Sequence, residues 1–387
     1  MKRVLIVFPF HHQYSFVEGK CVFLNNHGVK VDAYLIQNWR FDFYTFGRNT
    51  RPLIYKVSRF LYDMLKYIPG IFHLKIDKLF QTCIYKSLVN RYDIIELAGV
   101  YSEDRLQLAK YAKAKGKKIN VSVWGTDFYG IKDYKNDWHK NLFNIADRIL
   151  LGSIKMEEDF INAYPIYKNK VFQVTNGLTQ LEKLKEILDG KVDKDTAFLD
   201  NRAKGRIRLT IGYTGRTWQQ HFYAIDALEK ISTKNKDKLF LIIPMTYDAN
   251  PEYKNYIDNR LSRLGIPYQI LEKRLSLEQN LSMRIISDIA ICIQNTDALA
   301  ASVREHIMAG SVFIGGDWLP YTLFLEEGMY FRPTSLDNLS NTIEDVIDNI
   351  KEEKRKCQKN TELMYNHSSW TRRGEDYLKM YDFIGNL

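Results

Sequence analysis

Short, continuously apolar runs alternate along this chain with longer segments whose apolar positions recur every three to four residues. The first kind predicts strands buried on both faces, the second amphipathic helices, and their alternation predicts a doubly wound parallel sheet. Residues 3–9 are the first predicted strand, 16–26 its helix and 30–36 the next strand. After a basic and aromatic section, strands are predicted at 92–97, 118–124, 147–152 and 171–175, with helices at 103–115 and 155–164. Gly116 supplies the residue that ends the first of these helices. Residues 189–206 break the pattern, being rich in charged and amide side chains with little to bury.

A second set follows, with strands at 209–213, 239–244, 268–271, 289–293 and 312–315. Helices are predicted at 223–230, 251–264, 277–285 and 303–309, then a long amphipathic one at 336–356 and a terminal one at 370–383. The predicted organisation is therefore a domain over 1–190, a linker over 191–206, a second domain over 207–368 and a C-terminal helix over 369–387. A chain of 387 residues agrees with two cores rather than one.

Composition changes this picture little. Hydrophobic residues are 45% and charged residues 26%, an ordinary globular balance. Four cysteines (Cys21, Cys83, Cys292, Cys357) show no CxxC spacing, so neither a zinc site nor a disulfide framework is indicated, and a reducing compartment fits. Lys2 and Arg3 ahead of an apolar run resemble the start of a signal peptide. His11-His12-Gln13 ends that run without a small-residue cleavage site, so it reads as a strand. No run approaches the ~20 apolar residues that span a bilayer, and a cytoplasmic protein is expected, either free or peripheral on the inner face of the membrane.

The net charge of +10 is compatible with phosphorylated ligands, an anionic membrane or RNA. It is unevenly spread: residues 48–91 hold nine Lys or Arg against two Asp, a surplus of seven, interleaved with large apolar side chains. That composition suits a segment lying on an anionic membrane, and equally a pair of helices with a solvated basic face.

Several landmarks carry a family resemblance across nearly the whole chain. Trp124-Gly125-Thr126-Asp127 follows a predicted strand, Ala146-Asp147-Arg148-Ile149 precedes Ser153, and Val174-Thr175-Asn176-Gly177 closes the first set. Ile211-Gly212-Tyr213-Thr214-Gly215-Arg216 opens the second, and Asp297 stands eight positions before Glu305, an acid-x7-acid spacing that continues into His306 to Gly310. Together they resemble GT-B glycosyltransferases of the E-x7-E type, with Asp in place of the first Glu. Pro244-Met245-Thr246-Tyr247 with Asn250-Pro251-Glu252-Tyr253 resembles, within them, bacterial transferases of 4-acetamido-4,6-dideoxygalactose.

The resemblance implies an α/β fold of two Rossmann-like domains facing across a cleft, with the C-terminal helix packing back on the N-terminal domain. It also implies a nucleotide-sugar donor held by the second domain. Gly215 and Arg216 end a strand where open sheets bind ligands, and the guanidinium suits a diphosphate. Ala301 and Ser302 are small residues before a helix near Val303, whose N-terminus favours phosphate. Glu305, expected in that helix's first turn, takes the ribose hydroxyls by resemblance, and Asp297 lies near the donor sugar. On the acceptor side stand Asp127 and, after the first strand, His11 and His12, with His221 a weaker candidate.

Each has a plainer counterpart. Asp127 and Asp297 suit caps, Glu305 a solvated helix carboxylate, Arg216 a surface cation, and the histidines a polar loop edge.

The reading is a glycosyltransferase moving a sugar from a nucleotide sugar to a glycan, as a lipid-linked precursor of bacterial surface polysaccharide. No cofactor or metal is expected, since an arginine with a helix terminus can carry the diphosphate charge. A non-hydrolysing sugar-nucleotide epimerase shares the architecture and is the enzyme rival. A basic nucleic-acid-binding protein is the rival by charge, but no RNA-binding signature accompanies the charge and no nucleic-acid partner is expected.

Overall fold

The computed structural model describes residues 2–9, 14–37, 40–45, 53–65, 76–129, 137–247, 249–297 and 299–384. The chain divides into two compact units, one of residues Met1–Thr179 with Trp370–Leu387, the other Gln180–Ser369.

The first unit is built on seven strands, β1 (Arg3–Phe8), β2 (Lys30–Gln37), β3 (Arg40–Thr45), β4 (Ile94–Ala98), β5 (Lys118–Val123), β6 (Arg148–Leu151) and β7 (Val171–Gln173). Their order is β3-β2-β1-β4-β5-β6-β7. All neighbours are parallel except β3, which runs antiparallel to β2 at the edge. Val4 to Phe8 and all of β4 are buried, as strands covered by helices on both faces must be. β3 was not anticipated. Its sequence, Arg-Phe-Asp-Phe-Tyr-Thr, sits in the basic aromatic section and has polar residues on alternate positions, as befits an edge strand.

The second unit has six parallel strands, β8 (Ile207–Ile211), β9 (Leu239–Pro244), β10 (Tyr268–Leu271), β11 (Ile289–Cys292), β12 (Val312–Gly316) and β13 (Arg332–Thr334). Their order is β10-β9-β8-β11-β12-β13. Succession therefore reverses between β8 and β11, which makes the space beyond their C-terminal ends the topological switch point of this sheet.

Three expectations need correction. The units meet at residues 179 and 180 rather than at 190, and the helix Thr179–Leu188 falls at this junction. The stretch 191–206 is no free linker: Phe198, Leu199 and Ala203 pack with Phe240, Ile242, Leu271 and Met283 on one face of the second sheet. The helix predicted over 336–356 is two, Leu339–Asp348 and Ile350–Lys356. The break is at Asn349, whose side-chain amide bonds the Asp345 carbonyl and carboxylate at 3.0 Å each and offers the backbone an alternative to continuing.

The C-terminal helix Trp370–Ile384 belongs to the first unit. Lys20 and Glu96 form a buried pair at 2.6 Å, and Tyr381 donates its hydroxyl to the same carboxylate while the Tyr377 ring lies 4.2 Å from the Lys20 ammonium. Tyr377 also donates to Asn176, and a Cβ on Gly177 would stand 2.8 Å from the Trp370 backbone. The Asn-Gly pair that sequence resemblance singled out thus docks this helix: asparagine for its hydroxyl, glycine for its close approach.

Candidate functional site

The switch point of the second sheet collects most of the predicted donor residues. β8 leads into Gly212-Tyr213-Thr214-Gly215-Arg216, and β11 into the loop that enters helix Ala301–Met308. The two loops are tied where the Asn295 amide donates to the Trp218 carbonyl at 3.1 Å. Trp318, after β12, donates its indole N–H to the Gln294 carbonyl at 3.0 Å.

Gly215 is required by space: a Cβ there would lie 2.4 Å from the Ala249 Cβ and 2.6 Å from its Cα. The Gly215 amide also donates to the Tyr247 carbonyl at 3.1 Å, so the β8 loop is fixed against the β9 loop. Arg216, half-buried, lays its guanidinium 4.4 Å over the Trp218 ring, a stacking that pre-orients the planar cation.

Asp297 accepts from the Ala300 amide at 2.9 Å and from the Tyr321 hydroxyl, which in turn accepts from the Gln294 side chain at 2.8 Å. The carboxylate therefore shapes the turn into the helix. Within that turn Leu299 holds φ at 64°, a left-handed conformation that costs a leucine roughly 1–3 kcal/mol and marks a site over-determined by its surroundings.

The helix begins at Ala301, two residues earlier than predicted, so the amides of Ala301, Ser302 and Val303 are the ones left without intrahelical partners. Glu305 accordingly lies in the second turn, not the first, and it is buried. Arg284, from helix Leu277–Ile286, reaches under this helix: its Nε donates to Glu305 Oε2 at 3.2 Å and its Nη2 to Ser302 Oγ at 3.1 Å. The same guanidinium donates to His306 Nε2 at 3.1 Å. Arginine cannot accept, so His306 carries its proton on Nδ1 and gives it to Ser311 Oγ at 3.1 Å, which donates to the Arg284 carbonyl at 3.1 Å. Burial and the adjacent guanidinium hold His306 neutral, its pKa well below the usual histidine range.

Oε1 of Glu305 makes no hydrogen bond among the described residues. The site thus offers a stacked arginine, a helix N-terminus and a carboxylate oxygen in reserve, on adjacent strands. That set can grip an anion beside vicinal hydroxyls.

The remaining predicted residues do not belong to this set. Asp127, in the first unit, is fully buried, and its two oxygens accept from the Val100 amide at 2.8 Å and the Trp124 amide at 2.7 Å. Burial pushes it up to about 6 against the pull of these amides. This is the geometry of a tie between the loops after β4 and β5, the capping alternative, rather than of an open acid or base. His11 and His12 lie outside the described residues. His221 is buried with Nδ1 3.1 Å from the Tyr253 hydroxyl, and burial pulls it down to about 4, so it is neutral and enclosed.

Two other sequence landmarks have structural duties: Asp147 binds Lys113 at 2.8 Å and the Ile119 amide at 2.7 Å, and Ser153 caps helix Ile154–Ala163. Sequence reasoning missed Arg284, Gln294, Trp318 and Tyr321. No local pattern distinguishes them, because their partners are 18 or more residues away.

No protein-family model matches the chain, and no curated protein matches it in sequence. Its structure is similar to solved ones. HepE of Anabaena, in complex with UDP and glucose, is 11% identical with a TM-score of 0.63, covering 100% of both chains. The sucrose-phosphate synthase of Thermosynechococcus elongatus is 10% identical with a TM-score of 0.66, also over 100% of both. A UDP-forming trehalose-phosphate synthase of Burkholderia xenovorans is 12% identical with a TM-score of 0.62, over 98% of both. The shared fold is the two-unit α/β arrangement of GT-B type.

Proposed function

We propose that this chain is a glycosyltransferase that binds a nucleoside diphosphate sugar in its second unit and passes the sugar to a glycan. The observation that carries this reading is the convergence of Arg216, the open end of helix Ala301–Met308 and Glu305 at the β8/β11 switch point. The diphosphate is taken by the amides of Ala301 to Val303, which have no intrahelical partners, and by the Arg216 guanidinium, both of which favour the charge that grows on the leaving group. Glu305, held by Arg284 through one oxygen, offers the other to the ribose hydroxyls. Asp297 and Tyr321 fix the turn beside the sugar.

UDP is the nucleotide to try first, because similar structures were solved in complex with it. The acceptor we favour is a lipid-linked precursor of bacterial surface polysaccharide. Calorimetry with UDP and the Glu305→Gln protein tests the donor reading. The amide keeps the shape and still accepts from Arg284, but it forfeits a charge-assisted bond, so affinity should fall about five- to tenfold with the fold retained. Unchanged affinity removes Glu305 from the site. Incubation with the nucleotide sugar alone separates the epimerase rival, which would yield an isomer without any acceptor.

A further inference from the structure

Helix Leu53–Leu65 of the first unit packs one face on the core and carries a second apolar stripe that is exposed. Tyr55, Ser58 and Tyr62 point into the core, where Tyr55 meets Phe43 and Tyr62 meets Phe80. On the other side Leu53 is 73% exposed, Phe60 64% and Met64 57%, with Val57 and Leu61 exposed beside them. These five positions fall at i, i+4, i+7, i+8 and i+11, within an arc of about 100° at 3.6 residues per turn. Lys56 flanks the stripe in solvent, and Arg59 neutralises the nearby acids Asp63 at 3.0 Å and Asp42 at 3.6 Å. Leu79, 62% exposed on helix Ile76–Val89, adds another large apolar side chain to the exposed surface of the same basic segment.

We infer that this stripe inserts into the headgroup and upper acyl region of an anionic lipid leaflet. Charge complementarity selects that occupant. The sequence of 48–91, which contains this helix, has a surplus of seven positive charges, and Lys56 stands in solvent at the edge of the stripe, so charge favours an anionic surface over a second copy of the chain. An anionic leaflet attracts a basic segment and accepts the five apolar side chains of the stripe. The helix is 13 residues long, and no helix among the described residues is long and apolar enough to cross a membrane, so it lies in the surface. This inference is independent of the donor reading, since every residue it uses is in the first unit.

The test is sedimentation of the full chain with vesicles of phosphatidylcholine containing phosphatidylglycerol, and of phosphatidylcholine alone. The wild type should bind the anionic vesicles far better, and high salt should release only part of it, because the apolar contribution is unscreened. Phe60→Ser with Met64→Ser should lower partitioning at least about tenfold, the loss of two large apolar side chains from the leaflet. UDP affinity and Tm should not move, which shows that the variant is folded. Failure of the wild type to bind anionic vesicles at low salt overturns the inference, as does unchanged binding by the folded double variant. A wild-type dimer in light scattering that the double variant abolishes also overturns it, by showing that a second copy covers the stripe.

Discussion

Arg284 does three things with one guanidinium: it holds Glu305, it anchors Ser302 at the helix entrance, and it fixes the His306 tautomer. A buried cation of this kind is stable only while its partners remain, so removing the carboxylate with Glu305→Ala should cost about 3–5 kcal/mol of stability. That is why Gln, not Ala, is the informative replacement there. Arg216 is different in kind, half-buried and stacked on Trp218. Arg216→Ala should lower turnover roughly 10²–10³-fold, and wild-type activity should survive excess EDTA. Loss on chelation with recovery on added manganese would assign the charge to a metal instead.

His221 gives a pH dependence. Its folded pKa is about 4 against an ordinary 6.5, because burial disfavours the charged ring. The unfolded chain therefore binds the extra proton between these values, and the neutral ring's contribution is complete above about 6.5 and lost as pH falls towards 4. Urea unfolding of His221→Gln, compared with wild type across that range, should lack a slope worth about 3 kcal/mol at most. Parallel profiles would place the proton elsewhere.

At the scale of elements, the C-terminal helix Trp370–Ile384 is the part of the first unit most distant in sequence. It completes that unit through Tyr381 on Glu96, Tyr377 on Asn176 and Trp370 against Gly177. Tyr381→Phe keeps the ring and deletes one bond to a buried carboxylate, so thermal unfolding should show a loss of about 1–3 kcal/mol, with UDP affinity unchanged. A weakened UDP affinity would show that this helix acts beyond its own unit. Strands were the most legible elements, since β9 and β10 fall on the predicted residues and the others, apart from the unanticipated β3 and β13, differ at their ends. β3 and the break at Asn349 were not legible: an edge strand needs only one buried face, and a side-chain bond to Asp345 leaves no mark in periodicity.

For the whole molecule, the division into units has a consequence for folding. The second unit is one continuous stretch, Gln180–Ser369, with its own six-stranded sheet and core. The first is discontinuous and lacks a helix unless residues 370–384 are present. A fragment of 180–369 should unfold cooperatively and bind UDP with nearly the affinity of the full chain. A fragment of 1–179 should expose the apolar surface that Tyr377, Met380 and Tyr381 cover and should aggregate. If the first fragment folds but ignores UDP, the switch point of this sheet is not the donor site by itself.

The sequence by itself determined the alternation of strand and helix, the two-unit α/β class and the loops on which candidate chemistry falls. These follow from periodicity, because a parallel strand must be apolar on both faces and its crossover helix on one. It also marked Gly215, Arg216, Asp297, Ser302 and Glu305 by family resemblance and by their place at strand and helix ends, and Arg216 and the helix entrance stand on adjacent strands. Only the tertiary structure decided what those groups are free to do. Asp127 and Glu305 are both buried acids on short helices that follow a strand, yet one has both oxygens on backbone amides and the other keeps one in reserve. The difference lies in partners such as Val100 and Arg284, and hydrogen bonds between distant residues form only once packing has chosen their neighbours.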